Sequence, residues 1–489
     1  MDWISKRASL SPDKIALIDI EYGTSFTYSK LNECANRWAT FFLSREIKKG
    51  DRIATIAQNQ AELFAIMFAC GKIGAIFVPL NWRHSNHELQ YILDDSSPKI
   101  LIINERFTNI VQNLNIDQVV SLSEINTKSN IIDFNCSETI DDSDPWLMIY
   151  TGGTTGKPKG VALTHLSVDW NAVNTIISWG LSSEEITLTY MPLFHTGGIN
   201  ALSIPILLNG GTVVIGNQFE PRQALRYLKK YKCTIALFVP TMYHMMQQTE
   251  EFHHLDFPDM KVFLSGGAPC PLSIYDKFAE KGWPFKEGYG LTEAGPNNFF
   301  ITPEEAIKKK GSVGKPMMFN DIKLLKPDGM EAGDNEVGEL LINGKHSFKG
   351  YWNNPLATAE TWINGWLHTG DLAKRDEEGY YYIVGRKKDM IISGGENVYP
   401  LEIEQWLCEH SSINEAAVVG IPDEKWGEKV IAFITLKEVR KITEEELKNY
   451  CSHKLAKYKI PKSFIILEEL PKTDVGKIDK KKLRNNIYI

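Results

Sequence analysis

The 489-residue chain lacks several patterns that define familiar classes of protein. Its seven cysteines include no CxxC pair and no histidine at ligand spacing, so the sequence predicts free thiols rather than a disulfide framework or a zinc site. The chain has no excess of positive charge, since its net charge is −7. This argues against nucleic acid as the main partner. The sequence also contains no internal repeat and no low-complexity segment.

Long apolar runs are missing as well. The first residues, MDWISKRASLSPDK, contain no apolar h-region, so we expect no secretory signal. The most apolar stretch, LFAIMFACGKIGAIFVPL from Leu63, is interrupted by Lys72, by two glycines and by Pro79. It therefore predicts a buried helix, a turn and a strand rather than a membrane span. Together with the free cysteines, these features indicate a cytoplasmic protein.

The length is too great for one hydrophobic core, so two or three domains are expected. Before residue 311, amphipathic helices alternate with short apolar strands such as KILIIN and KVFLSGG. One helix is predicted from apolar residues at helical spacing, and a second from the capping box Ser85–Glu88. The first helix carries Leu31, Cys34, Ala35, Trp38 and Phe42. This alternation predicts an α/β fold with largely parallel sheets covered by helices.

The pattern changes after residue 311. Two segments alternate in period two around PDG and EEG turns, which predicts antiparallel β structure. After GRKKD at 385–389 a new α+β pattern begins, with a helix at LEIEQWLCEH, strands at EAAVVG and KVIAFITL, a helix capped by Thr443 and Glu446, and a strand at SFIIL. We therefore predict two domains, 1–387 and 388–489.

The loop YTGGTTGKPKG, residues 150–160, follows the apolar strand PWLMI. Glycines let the backbone approach a ligand closely, and hydroxyl and ammonium groups supply donors and positive charge, so a polyphosphate is the expected guest. The loop is not a Walker A motif, because Pro158 follows Gly156-Lys157 where a serine or threonine is required. It also leads into the extended segment GVALTH, so no helix N-terminus faces the phosphates.

Four further segments concentrate reactive groups. They are SGGAP (265–269), EGYGLTEAG (287–295), GWLHTGDLA (365–373) and PKTDVGKIDKKKLR (471–484). The first two follow predicted strands, and ligands bind at the carboxyl ends of strands in open α/β sheets. Each segment alone is typical of an ordinary turn or a solvated surface, whereas their joint occurrence favours a functional site.

These segments, with GRKKDMIISGGENVYPLEIE, closely resemble the signatures of the adenylate-forming superfamily of acyl-CoA synthetases, adenylation domains and luciferases. The resemblance covers nearly the whole chain. It implies a large N-terminal domain of two sheet-and-helix subdomains plus a β-barrel, with a small mobile α+β C-terminal domain. It also implies an enzyme that uses ATP, Mg²⁺ and CoA, in which a carboxylate attacks the α-phosphate of ATP.

The resemblance assigns roles to individual residues. The phosphate loop would contain Thr151, Gly152, Gly153, Thr154, Thr155, Gly156, Lys157 and Lys159. The adenine slot would be lined by Gly266, Gly267, Ala268, Glu287, Gly288 and Tyr289, with Tyr289 stacked on the base. Thr292 would touch the α-phosphate and Glu293 would hold magnesium. Asp371, helped by Arg386, would accept hydrogen bonds from the ribose, and Lys477 would bridge the carboxylate and the α-phosphate.

The second half-reaction, attack of a thiol on the acyl-adenylate, adds two expected residues. In the resembling family the C-terminal domain rotates between the half-reactions, and Lys388 corresponds to the hinge. Gly395 would line the pantetheine tunnel, where a Cβ would narrow the passage. Apart from the thiol step, His195, in MPLFHTGG, matches a position that in the resembling family lies beside the substrate carboxylate and gates the acyl pocket.

Several alternatives stay open on the sequence alone. The main reading is an acid:CoA ligase for a medium- or long-chain fatty acid, because the expected pocket segments are mostly apolar, with Met242, Tyr243 and Met245 as linings. An o-succinylbenzoate or other aryl acid is the first alternative, and Arg83, His84, His244 and Asn297 are then the candidates for a second carboxylate. A stand-alone enzyme that loads a carrier protein is the second alternative, and a non-catalytic nucleotide binder is disfavoured by Glu293 and Lys477.

Two further properties are left open. The lysine-rich segment 477–484 is consistent with contact to CoA phosphates or lipid headgroups and equally with a solvated surface. The sequence does not decide between a monomer and a homodimer.

Overall fold

A computed structural model describes residues 2–124, 139–152, 157–437, 442–473 and 477–485. Four residues of the predicted phosphate loop, Gly153, Thr154, Thr155 and Gly156, lie outside these ranges. Within the described ranges, no helix combines the length and the apolar character needed to cross a bilayer.

The first part of the chain alternates helices with short strands. Its elements are α1 (Trp3–Leu10), β1 (Ile15–Asp19), β2 (Thr24–Thr27), α2 (Tyr28–Ser44), β3 (Arg52–Ile56), α3 (Ala61–Ile73), β4 (Ile76–Leu80), α4 (Asn86–Ser96), β5 (Ile100–Ile103), α5 (Thr108–Val111) and β6 (Val119–Ser121). The apolar residues that predicted the first helix all lie on the buried face of α2. The capping box predicted at Ser85 and Glu88 begins α4, and Gly74 ends α3 in a left-handed conformation, as the interrupted apolar run requires.

The middle of the chain continues this alternation. Its elements are β7 (Pro145–Thr151), β8 (Lys159–Thr164), α6 (His165–Trp179), β9 (Ile186–Thr189), α7 (Thr196–Ile199), α8 (Ser203–Asn209), β10 (Thr212–Ile215), α9 (Pro221–Lys230), β11 (Ile235–Phe238), α10 (Pro240–Gln247), α11 (Glu250–His254), β12 (Val262–Ser265), α12 (Leu272–Glu280) and β13 (Phe285–Glu287). The segment GVALTH is extended in β8, as its sequence predicts.

Mostly antiparallel strands follow. They and the intervening helices are β14 (Phe299–Phe300), α13 (Pro303–Lys308), β15 (Lys315–Pro316), β16 (Asn320–Leu325), β17 (Val337–Gly344), β18 (Gly350–Tyr351), α14 (Pro355–Thr361), β19 (Trp362–Ile363), β20 (Trp366–Arg375) and β21 (Tyr381–Arg386). The last part contains β22 (Ile391–Ser393), β23 (Glu396–Val398), α15 (Pro400–Cys408), β24 (Ile413–Asp423), β25 (Gly427–Leu436), α16 (Glu444–Ser452), β26 (Ser463–Ile466) and α17 (Lys480–Asn485).

Two seven-stranded sheets form most of the molecule, with the orders β18-β8-β7-β4-β3-β5-β6 and β13-β12-β11-β9-β10-β1-β2. In the second sheet the strands from β13 to β1 are all parallel, and β2 is an antiparallel edge. The largest hydrophobic cluster draws on both sheets and on α2 and α3, whose Trp38, Phe42 and Phe64 are buried. These sheets confirm the predicted α/β class.

Two five-stranded sheets and the two-stranded pair β14-β15 complete the sheets of the described residues. The sheet β16-β17-β20-β19, with β21 paired to β20, is antiparallel and occupies the part of the sequence predicted as antiparallel β structure. The sheet β23-β22-β25-β24, with β26 paired to β25, belongs entirely to the last hundred residues and has its own apolar clusters. A single turn of 3₁₀ helix, Lys387–Asp389, joins the two, and the predicted domain boundary lies in this turn.

Candidate active site

The two arms of the predicted phosphate loop form a hairpin. Strands β7 and β8 pair antiparallel, so that Thr151 lies opposite Lys159. The Nζ atom of Lys157 lies 5.4 Å from the ring centroid of Tyr91, and that of Lys159 lies 4.8 Å from the ring centroid of Tyr351. Both ammonium groups therefore lie over aromatic rings beside the predicted loop, in cation–π contact.

The predicted adenine slot is built from two neighbouring strand ends. Gly266, Gly267 and Ala268 follow β12, while Gly288 and Tyr289 follow the parallel neighbour β13. The Gly288 N–H donates to the carbonyl of Ser265 at 2.8 Å, and Gly267 has a φ of +80°. The two segments therefore meet at the carboxyl edge of the sheet, where such folds bind nucleotides.

Asp371 connects this slot to the antiparallel sheet. Its Oδ2 accepts a 2.6 Å hydrogen bond from the Tyr289 hydroxyl, and its Oδ1 lies 2.6 Å from Nε of Arg386. Only 4% of Asp371 is exposed, and burial raises the pKa of its carboxyl, while Arg386 and Tyr289 act in the opposite direction. Tyr289, Asp371 and Arg386 thus form one hydrogen-bonded group at the end of the slot.

Thr292 and Glu293 occupy the loop that follows Tyr289. Thr292 is buried, with 6% of its surface exposed, and the Glu293 Oε1 atom accepts a 2.9 Å hydrogen bond from the Tyr351 hydroxyl. Among the described residues, no donor reaches Oε2 of Glu293, and no cluster of three or more His, Cys, Asp or Glu side chains could hold a metal by itself. One available carboxylate oxygen fits Mg²⁺, which binds through one or two carboxylates together with substrate phosphates and water.

The C-terminal region brings Lys477, which is exposed to solvent, within electrostatic reach of these residues. Its ammonium interacts electrostatically with Arg386, Asp371 and Glu293. Desolvation lowers the pKa of Lys477 most, and the Arg386 guanidinium lowers it further, whereas the two carboxylates raise it. The loop that carries Lys477 is closed by a bridge between Lys472 and Ile478.

His195 lies immediately before α7 and interacts electrostatically with Lys477. Desolvation first, and then the charges of Lys477 and Arg83, lower the pKa of His195 to about 4, so its imidazole is neutral at neutral pH. Asn59 fixes the preceding loop, because its side chain donates to the Met191 carbonyl at 3.0 Å and accepts from the Leu193 N–H at 2.9 Å.

The charge of Lys388 acts on the Asp371 carboxylate, whereas Gly395 belongs to the C-terminal sheet. Lys388 is exposed within the 3₁₀ turn that joins the two parts of the chain. Gly395 lies in the turn between β22 and β23 with a φ of +86°, and no described heavy atom lies within 4 Å of an added Cβ.

The side chain of Glu287 differs from its predicted position in the adenine slot. It points towards α12, where it accepts hydrogen bonds from the Cys270 N–H at 3.0 Å and from the Tyr275 hydroxyl at 3.1 Å. Burial raises the pKa of Glu287 to about 8. The carboxyl group therefore belongs to the core beneath the slot.

The prediction that Tyr243 lines the acyl pocket is wrong. It is fully buried, and its hydroxyl donates to the Leu264 carbonyl at 2.9 Å. Of the candidates for a second carboxylate, Asn297 donates to the Ala201 carbonyl at 2.7 Å, and His244 interacts with Glu415 in the C-terminal part. The Arg83 guanidinium, in contrast, lies 5.8 Å from the ring of Phe194, next to His195.

One residue that contacts this site could not be predicted from the sequence. Tyr351 contacts both Glu293 and Lys159, yet the segment FKGYW shows no catalytic pattern. Its role follows only from the pairing of β18 with β8.

Comparison of this chain with known proteins identifies its family. The model for the AMP-binding enzyme matches residues 4–352, and the model for the AMP-binding enzyme C-terminal domain matches residues 402–477. A feruloyl-CoA synthase of Amycolatopsis sp is 36% identical over 484 residues, which is 99% of this chain and 98% of the relative. A long-chain-fatty-acid–CoA ligase of Mycobacterium tuberculosis is 35% identical over 492 residues, 98% of this chain and 97% of the relative.

The fold is also similar to that of an enzyme of known structure. The o-succinylbenzoate CoA synthetase of Bacillus subtilis, in complex with its acyl-adenylate intermediate, has a TM-score of 0.90 and 33% identity, and the match covers 100% of this chain and 98% of that one. The same enzyme in complex with ATP and magnesium gives a TM-score of 0.89. The expected use of ATP, Mg²⁺ and CoA is thereby confirmed at the level of the family. The chain belongs to the AMP-binding enzymes and is an AMP-forming acid–thiol ligase of the acyl-CoA synthetase type.

Proposed function

We propose that this chain activates a medium- or long-chain fatty acid to its CoA thioester. The observation that supports adenylate formation is the electrostatic grouping of Lys477 with Glu293 and Asp371, which are distant in sequence; the choice of a fatty acid is supported separately by the apolar segment after His195. A cation that reaches both the substrate carboxylate and the nucleotide is what adenylate formation requires, because negative charge builds up at the α-phosphorus.

In the first half-reaction a carboxylate oxygen attacks the α-phosphorus, the bond to the β-phosphate oxygen breaks, and pyrophosphate leaves. We assign the nucleotide to Tyr289, Asp371 and Arg386, and the acyl carboxylate to the neighbourhood of His195 and Lys477. Neutral His195 can donate one N–H to the carboxylate without attracting it away from the phosphorus. Glu293 would hold Mg²⁺, which supplies positive charge to the phosphates when it is bound.

In the second half-reaction the CoA thiolate attacks the acyl carbon and AMP leaves. We assign the two bodies 1–387 and 388–489 to an N-terminal domain and a C-terminal domain that turns about Lys388. The turn that contains Gly395 would then face the cleft in place of Lys477. Its exposed position, with no described atom within 4 Å of an added Cβ, supports a second orientation in which this glycine becomes a contact.

The apolar acid is favoured by the segment after His195, which contains Gly197, Gly198, Ile199 and Ala201 and no ionisable side chain. The alternative is o-succinylbenzoate or another aryl acid. It is supported by the Arg83 guanidinium beside Phe194 and by relatives whose names include feruloyl-CoA synthase and 2-succinylbenzoate–CoA ligase. A carrier-protein acceptor remains the second alternative, and a cytoplasmic location is part of the proposal.

The test incubates the full chain with ATP, Mg²⁺, CoA and an equimolar pool of fatty, aryl and succinylbenzoyl acids, and identifies the thioesters by mass spectrometry. Dominant fatty acyl-CoA supports the proposal, and dominant aryl-CoA or succinylbenzoyl-CoA replaces its substrate. Release of pyrophosphate without any thioester would favour a carrier-protein acceptor. Lys477→Ala is the control for thioesters formed by a contaminating enzyme.

A further inference from the structure

Tyr351 contacts two charged side chains, Glu293, which is expected to hold Mg²⁺, and Lys159, which is expected to bind the phosphates of ATP. Its hydroxyl donates to Oε1 of Glu293 at 2.9 Å, and its ring centroid lies 4.8 Å from Nζ of Lys159. Glu293 belongs to the loop after β13, whereas Lys159 begins β8 in the other large sheet. The tyrosine therefore links the proposed magnesium ligand to the phosphate loop.

The backbone of Tyr351 is fixed to the strand that leaves the phosphate loop. Its strand β18 pairs antiparallel with β8, with Tyr351 opposite Val161. The Trp352 N–H donates to the Gly160 carbonyl at 2.7 Å, and the Tyr351 N–H donates to Oγ1 of Thr358 at 2.9 Å. Because both sides of the backbone are held, the ring keeps a constant position relative to Lys159.

The same short segment also supports the backbone of Glu293. The Phe348 N–H donates to the Glu293 carbonyl at 2.7 Å, and the Phe348 ring packs edge-on against the Tyr351 ring with centroids 5.0 Å apart. Only 2% of Phe348 is exposed. Residues 348–351 thus hold Glu293 at two points, its carbonyl and its carboxylate.

We propose that Tyr351 is a positioning residue for the magnesium–nucleotide complex, which orients the Glu293 carboxylate through its hydroxyl and supports the Lys159 ammonium through its ring. The proposal rests on the proposed role of Glu293 as the magnesium ligand. A carboxylate on a loop can rotate, whereas Mg²⁺ demands near-octahedral geometry, so fixing Oε1 presents Oε2 in one direction. Outer partners of this kind commonly change metal affinity by about 10- to 100-fold when they are removed.

The two functions of the side chain can be separated by substitution. Tyr351→Phe removes the hydroxyl and keeps the ring under Lys159, whereas Tyr351→Leu removes both. Titration calorimetry on the full chain, without acyl substrate, measures the dissociation constant for ATP with Mg²⁺ and for ATP in EDTA. We expect Tyr351→Phe to weaken ATP binding with Mg²⁺ about 3- to 10-fold and to change binding in EDTA less than about 2-fold. Tyr351→Leu is expected to weaken both.

A matched control is available in the same protein. The Tyr380 hydroxyl donates to Oε1 of Glu305 at 2.7 Å, a tyrosine–glutamate pair outside the cleft. Tyr380→Phe is expected to leave both dissociation constants unchanged. Thermal unfolding of each variant verifies that the fold is retained, and Tyr351→Phe is the variant that decides the result if Tyr351→Leu does not fold.

A double-mutant cycle with Glu293→Ala distinguishes this inference from its premise. If Tyr351→Phe has no further effect on magnesium-dependent binding in the Glu293→Ala background, the tyrosine acts through Glu293. If Glu293→Ala alone leaves binding with Mg²⁺ unchanged, the proposed role of Glu293 is wrong. If Glu293→Ala weakens binding but Tyr351→Phe does not, or if their effects simply add, the positioning role of Tyr351 is overturned.

Discussion

The Nε atom of Arg386 lies 2.6 Å from Oδ1 of Asp371, and the two residues are Cα partners across β20 and β21. Arg386 is the last residue of β21, immediately before the turn that leads into the C-terminal sheet. The ion pair therefore connects the proposed ribose acceptor with the point where the two parts of the chain join.

Asp371→Asn is expected to weaken ATP binding by about 10-fold or more, because a neutral amide replaces a carboxylate that accepts charged and neutral hydrogen bonds. Titration calorimetry with ATP measures the change. Asp376→Asn is the matched control, since Asp376 pairs with Lys309 at 2.8 Å away from the cleft. Equal effects of the two substitutions would contradict the assignment of Asp371 to the nucleotide.

Lys477→Ala is expected to reduce adenylate formation on the order of 100-fold, because the cation that meets the developing charge is lost. Pyrophosphate release without CoA measures this step. Thioester formation from supplied acyl-adenylate is expected to change much less. The exposed Lys481 provides the control variant, and comparable losses in both half-reactions would exclude the role assigned to Lys477.

Gly395→Ala is expected to separate the two half-reactions. In this structure an added Cβ meets no described atom within 4 Å, so adenylate formation should be retained, apart from about 1 kcal/mol of strain at a φ of +86°. Thioester formation should fall about 10-fold or more if the tunnel passes this residue. Gly379→Ala, at a φ of +84°, controls for the strain alone, and an unchanged thioester rate would remove Gly395 from the tunnel.

The candidate site residues were assigned through the resemblance of their motifs to the adenylate-forming superfamily. Among them, the Tyr289 hydroxyl donates to Asp371 and the charge of Lys477 acts together with that of Asp371, although their segments are far apart in the chain; their roles stay predictions. The strand and helix pattern was equally informative where it was strongly periodic, as in α2 and in the capped helix α4.

The orientation of side chains on short elements could not be predicted. On β13, neighbouring residues point to opposite faces, so Lys286 stands over the Trp179 ring at 4.1 Å while Glu287 enters the core. Which face meets the ligand depends on the packing of α12, which the sequence does not reveal. Tyr243 was misplaced for the same reason, since α10 turns that residue inward.

Stability is expected to decrease as the pH falls from about 6.5 to about 4. His346 is buried, with Nε2 2.9 Å from Oδ1 of Asn298, and burial lowers its pKa to about 4. Between the folded pKa and the unfolded value of about 6.5, the unfolded state binds one more proton, which costs about 3 kcal/mol of unfolding free energy over the window.

His346→Gln removes this titration, so its unfolding free energy should depend less steeply on pH by about one bound proton. Urea unfolding at several pH values between about 7 and about 4.5 measures the slope. The exposed His254→Gln is the control, and an unchanged slope in His346→Gln would contradict the linkage.

Arg484→Ala is expected to slow adenylate formation about 3- to 10-fold, although Arg484 is assigned no contact with substrate. Helix α17 begins three residues after Lys477 and is tied down by Lys480, 2.6 Å from Glu404, and by Arg484, 3.0 Å from Asp389. Loss of the second ion pair loosens the element that positions the lysine loop.

The same variant should leave the dissociation constant for ATP within about 2-fold of the parent, because no proposed nucleotide ligand is changed. Pyrophosphate release at saturating ATP measures the rate, and Lys482→Ala, on the exposed side of α17, is the control. A decrease in ATP affinity that accounts for the whole loss of rate would assign Arg484 to the nucleotide site. A loss confined to the rate would mean that the ties of α17 hold Lys477 in place for attack on the α-phosphorus.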